Sequence, residues 1–383
     1  MVKTKWIVGL LLAGLITGSV GFADGDVIQF SEIEKAINEN NRQIQQQIAD
    51  TELLRLQKET LDEQKESMES LSPLMGSLSS LLGGQTAWEL ISLTEYVPAQ
   101  LDMGIKLSEM GEQITRNSVI LGARQLVMGI MQSQQAMRRL AENVENQQAN
   151  WERVQISFER GMATETDRFK AQADLEEAKL KLERAEMDKK DYTRRLNQLM
   201  GKPIESELYF LREQVLQAPL LAESTYLQSA DQERFEIVQL QELLVLKDQE
   251  IGLYDTYGLR DDASLSKVYN RLKVEREQLV LQLNEAKEDI SVEVKTAYRK
   301  AVIANQQQIA IAANRDAKRI FLANLKKQRQ EGFVSDAVFE GTENGLKELE
   351  EGADLVSLQY NTARMALDFA SGVGPSAGIG VTP

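Results

Sequence analysis

Apolar residues recur at alternating steps of three and four over most of this chain, the period of 3.5 that marks the seam of a coiled coil. Between Thr164 and Met200 the seam is Leu175, Ala178, Leu182, Ala185, Tyr192, Leu196 and Leu199, with Lys189 at one skipped position. Between Ser335 and Ser371 it is Leu346, Leu349, Ala353, Val356, Ala363, Leu367 and Ala370, with Tyr360 at the equivalent place. One constant offset, that from Gly161 to Gly332, carries every position of the first set onto the second. The flanking landmarks repeat too: Gly161, Thr164, Leu196 and Gly201 in the first copy become Gly332, Ser335, Leu367 and Gly372 in the second. A block written twice in register predicts an architecture built from repeats.

The pattern predicts six helices. The first starts at Ser31, with Ser31 and Glu34 as a capping box, and runs to about Ser67. The second covers about Gln100 to Arg160, on a seam that includes Leu126, Ile130, Met137, Leu140, Val144, Trp151, Val154 and Phe158. The third runs from Thr164 to Met200, with Thr164 as N-cap and Asp167 at N3. The others cover about Ser224 to Gly252, Ser264 to Gln330, and Ser335 to Ser371. No proline falls between Pro98 and Pro203 or between Pro219 and Pro375, so neither interval is barred from holding very long helices. At about 1.5 Å per residue the second helix is roughly 90 Å long and the third roughly 55 Å, which predicts an elongated molecule. Gly161 and Gly332 stop incoming helices in the left-handed conformation, and the short turns that follow force antiparallel hairpins.

The two halves are unequal. The stretch from Ile44 to Gly161 is longer than its counterpart, Ile237 to Gly332. The surplus sits around Ser70–Trp88, a run without a charge. The predicted organisation is a signal peptide over 1–23, a first helical repeat over 24–203, a linker over 204–221, a second repeat over 222–372 and a flexible tail over 373–383.

The N-terminus has the form of an export signal: basic Lys3 and Lys5, an apolar run from Trp6 to Phe22, and small residues at Gly21 and Ala23 before a cut at Asp24. The opposing reading, an uncleaved anchor, fits less well, because the run is short and glycine-rich. The net charge of −15 becomes more negative once two lysines leave with the signal, which argues against nucleic acid as a partner. Cysteine and histidine are both absent. No disulfide can staple the fold, and the commonest metal ligand and proton shuttle is missing. No phosphate-binding loop, metal motif or nucleophile–base set appears, so the sequence points to no catalytic residues, no cofactor and no enzyme.

The repeated block resembles the TolC family of outer-membrane efflux channels. The resemblance is carried by Phe158-Glu159-Arg160-Gly161-Met162-Ala163-Thr164-Glu165-Thr166-Asp167, the Ala-rich heptad through Ala171, Ala173, Leu175 and Ala178, and the closing Leu196-Asn197-Gln198-Leu199-Met200-Gly201-Lys202-Pro203. The second copy, from Glu331-Gly332-Phe333-Val334-Ser335 to Gly372, keeps the spacing with less identity. The opening helix, Phe30 to Ile37 with Asn40-Asn41, is similar as well. The resemblance implies an all-α chain of two pseudo-repeated long antiparallel coiled-coil hairpins forming part of a trimeric α-barrel. It also implies an adaptor (membrane fusion protein) and an inner-membrane transporter as partners, and an exported protein of the outer membrane or periplasm. Members of the family add two pairs of membrane β-strands after the first and fourth helices. Here residues 70–98 show no sustained alternation of apolar and polar positions, and 252–272 is charged and too short for two spanning strands. The expectation is therefore little or no β-barrel.

Two groups of residues stand out. Gly161, Met162 and Ala163, with Gly332, Phe333 and Val334, place apolar side chains on exposed turns, where they serve either adaptor docking or packing between neighbouring tips. Asp167, Asp336 and Glu340 are candidate pore-mouth acids. For Asp167 the competing role is helix capping, since an acid at N3 satisfies free amides and the helix dipole. The uncharged segment 70–88 is read either as a membrane contact, which could extend through 70–98, or as the cap of the far end. Two other functions compete with a passive efflux or type I secretion conduit: a secreted helical pore-forming toxin and a structural coiled-coil spacer of the envelope.

Overall fold

A computed structural model of the protein describes residues 27–68, 83–210 and 219–374. The predicted signal peptide and most of the predicted tail lie outside the described residues, as do 70–82 of the uncharged run.

The first incoming rod is two helices, α1 (Phe30–Asn40) and α2 (Arg42–Met68). The expected single helix breaks at Asn41, which is extended at φ −73° and ψ 124°. Its side-chain oxygen accepts from the backbone N–H of Gln43 at 3.0 Å and of Ile44 at 3.3 Å, making Asn41 the N-cap of α2. The start also differs from expectation: Gln29, not Ser31, is the N-cap, and its N–H donates to the Glu32 carboxylate at 2.9 Å.

Helix α3 (Gly84–Ile91) passes through a π turn at Ser92–Tyr96 into α4 (Val97–Glu159). Pro98 has no N–H to offer the carbonyl of Thr94, and the helix widens just there. Helix α5 (Glu165–Leu199) returns. The second half repeats the plan with α6 (Glu223–Glu233), a break at Arg234, α7 (Phe235–Thr256), α8 (Ser266–Gln330) and α9 (Asp336–Ser371). The expected fourth helix is thus also two. The return helices α5 and α9 are 35 and 36 residues long, as their in-register seams require.

Helix α5 packs along α4, α9 along α8, α2 along α4 and α7 along α8; α4 also touches α9 and α7. The tip half is therefore a layer ordered α5–α4–α9–α8, and the other half α2–α4–α7–α8. Seam residues Leu175, Ala178, Ala185 and Leu196 are buried in the first hairpin, and Ala353, Leu367 and Ala370 in the second. At the waist one core joins Ile33, Ile37, Ile44, Ile120, Ile130 and Leu196; its counterpart joins Tyr226, Ile237, Ile290, Val294 and Leu367. The β-structure among the described residues is one parallel pair, Val27–Ile28 against Tyr209–Phe210.

Contacts between α4 and α9 fix the direction of the hairpins. Arg138 pairs with Glu351, and the Asn117 side-chain amide donates to the Gly374 carbonyl at 2.6 Å. As the chain climbs α4 it descends α9, so Gly161 and Gly332 lie at the same end, each roughly 30–35 Å beyond the Arg138–Glu351 pair.

Among the described residues, the opposite end is built of helices and turns. Tyr257–Leu265 joins α7 to α8 through left-handed Gly258 and a short 3₁₀ turn, Leu259–Asp261, with no strand. Helix α3 packs onto this turn: Ala87 and Ile91 are buried with Tyr254, Leu259 and Tyr269, and the Trp88 ring lies 4.6 Å from that of Tyr254. The described part of the segment, from residue 84, thus packs as a cap over the far end. No helix among the described residues is long and apolar enough to cross a membrane.

Candidate functional site

The two tips are built alike. Gly161 adopts φ +70° and Gly332 φ +80°, and around each glycine an added Cβ would meet open space, so the demand for glycine is conformational. Met162 N–H donates to the Ser157 carbonyl at 2.8 Å and Phe333 N–H to the Gln328 carbonyl at 2.9 Å, the six-to-one bond that closes a Schellman turn. The turns hold their apolar residues out: Met162 is 69% exposed and Phe333 79%, whereas Ala163 and Val334 are half-buried.

An arginine knots each turn together. Arg168 lies over the ring of Phe158 at 4.7 Å and pairs with Glu165 at 3.7 Å. Arg329 lies over the ring of Phe339 at 4.7 Å and donates to Asp336 at 2.7 Å. Under the repeat offset, Phe158 maps onto Arg329 and Arg168 onto Phe339, so the pair is kept with its members exchanged. The acids Glu165 and Asp336 share one station. Sequence patterning misses this knot, because neither residue of the pair is the same in both copies; the signal lies only in the two stations taken together.

The three candidate acids are placed differently. The Asp167 carboxylate accepts from the Thr164 N–H at 2.9 Å and the Thr164 hydroxyl at 2.6 Å, and the Thr164 oxygen accepts from the Asp167 N–H at 3.2 Å. The Thr164 hydroxyl and then its backbone N–H hold this carboxyl below its ordinary value. Asp167 therefore caps α5, while its exposure leaves its charge in water. Asp336 is committed to Arg329, which offsets its charge. Glu340 is exposed on the first turns of α9. Among the described residues no cluster of three or more acids stands close enough to hold a metal.

No protein-family model matches the chain, and no curated protein sequence does. Solved structures match over nearly the whole length. A membrane protein from Pseudomonas aeruginosa superposes with a TM-score of 0.59 at 14% identity, covering 90% of each chain. The Campylobacter jejuni CmeC outer membrane channel gives 0.58 at 15% identity, over 91% of this chain and 86% of that one. The open state of the Neisseria gonorrhoeae MtrE outer membrane channel gives 0.56 at 13%, over 90% and 89%. The chain has the fold of the TolC-type channels. Within that fold Gly161–Ala163 and Gly332–Val334 are the paired hairpin tips, and α3 with the Tyr257–Leu265 turn occupies the far end.

Proposed function

We propose that the chain is one protomer of a trimeric, TolC-like helical conduit of the cell envelope, exported and passive, serving efflux or type I secretion. What supports the reading is the pair of equal hairpins whose tips stand at one end, on a fold shared with outer-membrane channels. A toxin needs one concealed apolar hairpin, and a spacer needs no duplication; neither accounts for two matched tips. The exposed Met162 and Phe333 offer the tip end to an adaptor, and through it to an inner-membrane transporter that supplies the energy. Asp167 and Glu340 contribute negative charge to the mouth. Electron microscopy of the protein lacking residues 1–23 tests this. Rings of three-fold symmetry with a central hole are expected; solid rods or dispersed monomers would overturn the reading.

A further inference from the structure

Helix α9 ends against the other repeat. Beyond Ser371 the chain crosses from α9 to α4, and two hydrogen bonds hold the crossing. The Phe235 N–H, at the break between α6 and α7, donates to the Val373 carbonyl at 3.2 Å, and the Asn117 side-chain amide donates to the Gly374 carbonyl at 2.6 Å. Asn117 is 7% exposed and Gly374 is buried, with φ +122°, a conformation that a side chain would strain. The equivalent stretch of the first repeat, Gly201–Pro203, folds back on its own helix: the Lys202 N–H donates to the Asn197 carbonyl at 2.9 Å. Under the repeat offset Asn117 maps onto Glu288, so the amide that receives the crossing is not part of the duplicated pattern.

The crossing sits at one end of a lever. Arg138 and Glu351 set the level of α4 against α9, and seven residues below them on each helix stand Met131 and Leu358. Leu358 is 3% exposed in one core with Ile120, Val127 and Ile130 of α4, and makes a pivot between the hairpins. Asn117 lies about 21 Å below that level and Gly161 about 45 Å above it. A sideways shift at the crossing is therefore about doubled at the tips. Above the pivot, the tie from Arg138 to Glu351 joins side chains that are 64% and 37% exposed, and an ion pair in water holds a geometry weakly. The buried amide is a firmer tie, because breaking its bond leaves both groups without water.

We propose that Gly372–Gly374 and Asn117 form a clasp that fixes the angle between the two hairpins, with Asn117 as its positioning residue. The clasp acts below the Leu358 pivot and sets how far apart Met162 and Phe333 stand. It works within one chain, so it holds whether or not the hairpins serve a conduit.

The chain has no cysteine, so spin labels can be placed without background. One labelled pair, Met162→Cys with Phe333→Cys, reads the distance between the hairpins. A second, Gln132→Cys with Met162→Cys, reads along one hairpin. Pulsed electron paramagnetic resonance is run on the chain lacking residues 1–23, co-expressed with an excess of unlabelled chain so that each particle carries one labelled copy, with melting curves alongside. In Asn117→Leu, and separately in Gly374→Ala, the distance distribution between the tips is expected to widen by several ångströms while that along the hairpin keeps its width. An unchanged tip-to-tip distribution in either folded variant would overturn the clasp. Equal widening of both distributions would also overturn it, because the fold has then loosened as a whole. If Asn117→Leu fails to fold, Gly374→Ala, which leaves α4 untouched, decides alone.

Discussion

Arg168 lies over the ring of Phe158 at 4.7 Å, and the second tip makes the same contact with the arginine on the incoming helix and the phenylalanine on the outgoing one. Geometry has been kept while side of origin has not. Exposed cation–π contacts are worth about 0.5–1 kcal/mol. Phe158→Arg or Arg168→Phe alone is expected to lose about that much, and the double exchange to recover most of it. Urea denaturation of the three variants checks this; an additive double variant would mean that the ring and the guanidinium do not couple.

Asn41 and Arg234 break the incoming rods at matching places with different chemistry. The Asn41 amide donates to the Leu199 carbonyl at 3.1 Å, and Arg234 donates to the carbonyl of Ala370, the repeat equivalent of Leu199, at 3.0 Å. Arg234 is fully buried and also pairs with Glu236 at 2.7 Å and Glu293 at 3.1 Å. Asn41→Ala loses a cap and one bridge, about 1–2 kcal/mol. Arg234→Ala strands two carboxylates and is expected to cost about 3 kcal/mol, tempered by their partial exposure. The order of the two losses in chemical denaturation is the check.

The left-handed glycines Gly161 and Gly201 are not equivalent. Gly161→Ala meets only a backbone penalty of about 1 kcal/mol, because nothing lies within 4 Å of the new methyl. At Gly201, with φ +69°, the methyl would stand 2.8 Å from the Asn40 Cβ. Gly201→Ala is expected to destabilise by clearly more than Gly161→Ala. Melting temperatures compared at equal concentration decide it.

Because the Asp167 pKa is lowered on folding, its contribution is complete above the ordinary value of 3.8 and is lost as pH falls through the lower folded value. Hydrogen-exchange protection in the first turn of α5, measured against the intrinsic rate at each pH, should therefore fall on acidification below about pH 4 in the native chain. In Asp167→Asn that dependence should vanish. If Asp167 also lines the mouth of a conduit, the same variant lowers cation over anion selectivity in planar bilayers, which capping alone does not predict.

Met162→Ser with Phe333→Ser should leave stability within about 0.5 kcal/mol, since both side chains stand in water. Loss of adaptor capture by that variant, with unchanged melting, is the outcome that docking at the tips predicts. Unchanged capture would remove these two residues from the docking surface.

Much of this was legible in the chain. The hairpins, their glycine turns and the Thr164–Asp167 box follow from heptads and capping chemistry, which act locally. The breaks at Asn41 and Arg234 were not, because Ile33, Ile37 and Ile44 continue the seam across Asn41 and the break is set by a carbonyl far along the chain. The sequence offered a cap around Trp88 as one of two readings but could not choose it, for a similar reason: its partners, Tyr254 and Tyr269, belong to the second repeat. The strand pair at Val27–Ile28 and Tyr209–Phe210 is too short for alternation to register.

The short turn from Tyr257 to Leu265 has a consequence for how such a rod can vary. A hairpin of strands in oil must fit the thickness of that oil, whereas a helical turn fits nothing but the helices it joins. At this turn the reach of the second repeat is counted in heptads alone. One heptad added to each of α2, α4, α7 and α8 would lengthen the rod by about 10 Å with every seam still in phase.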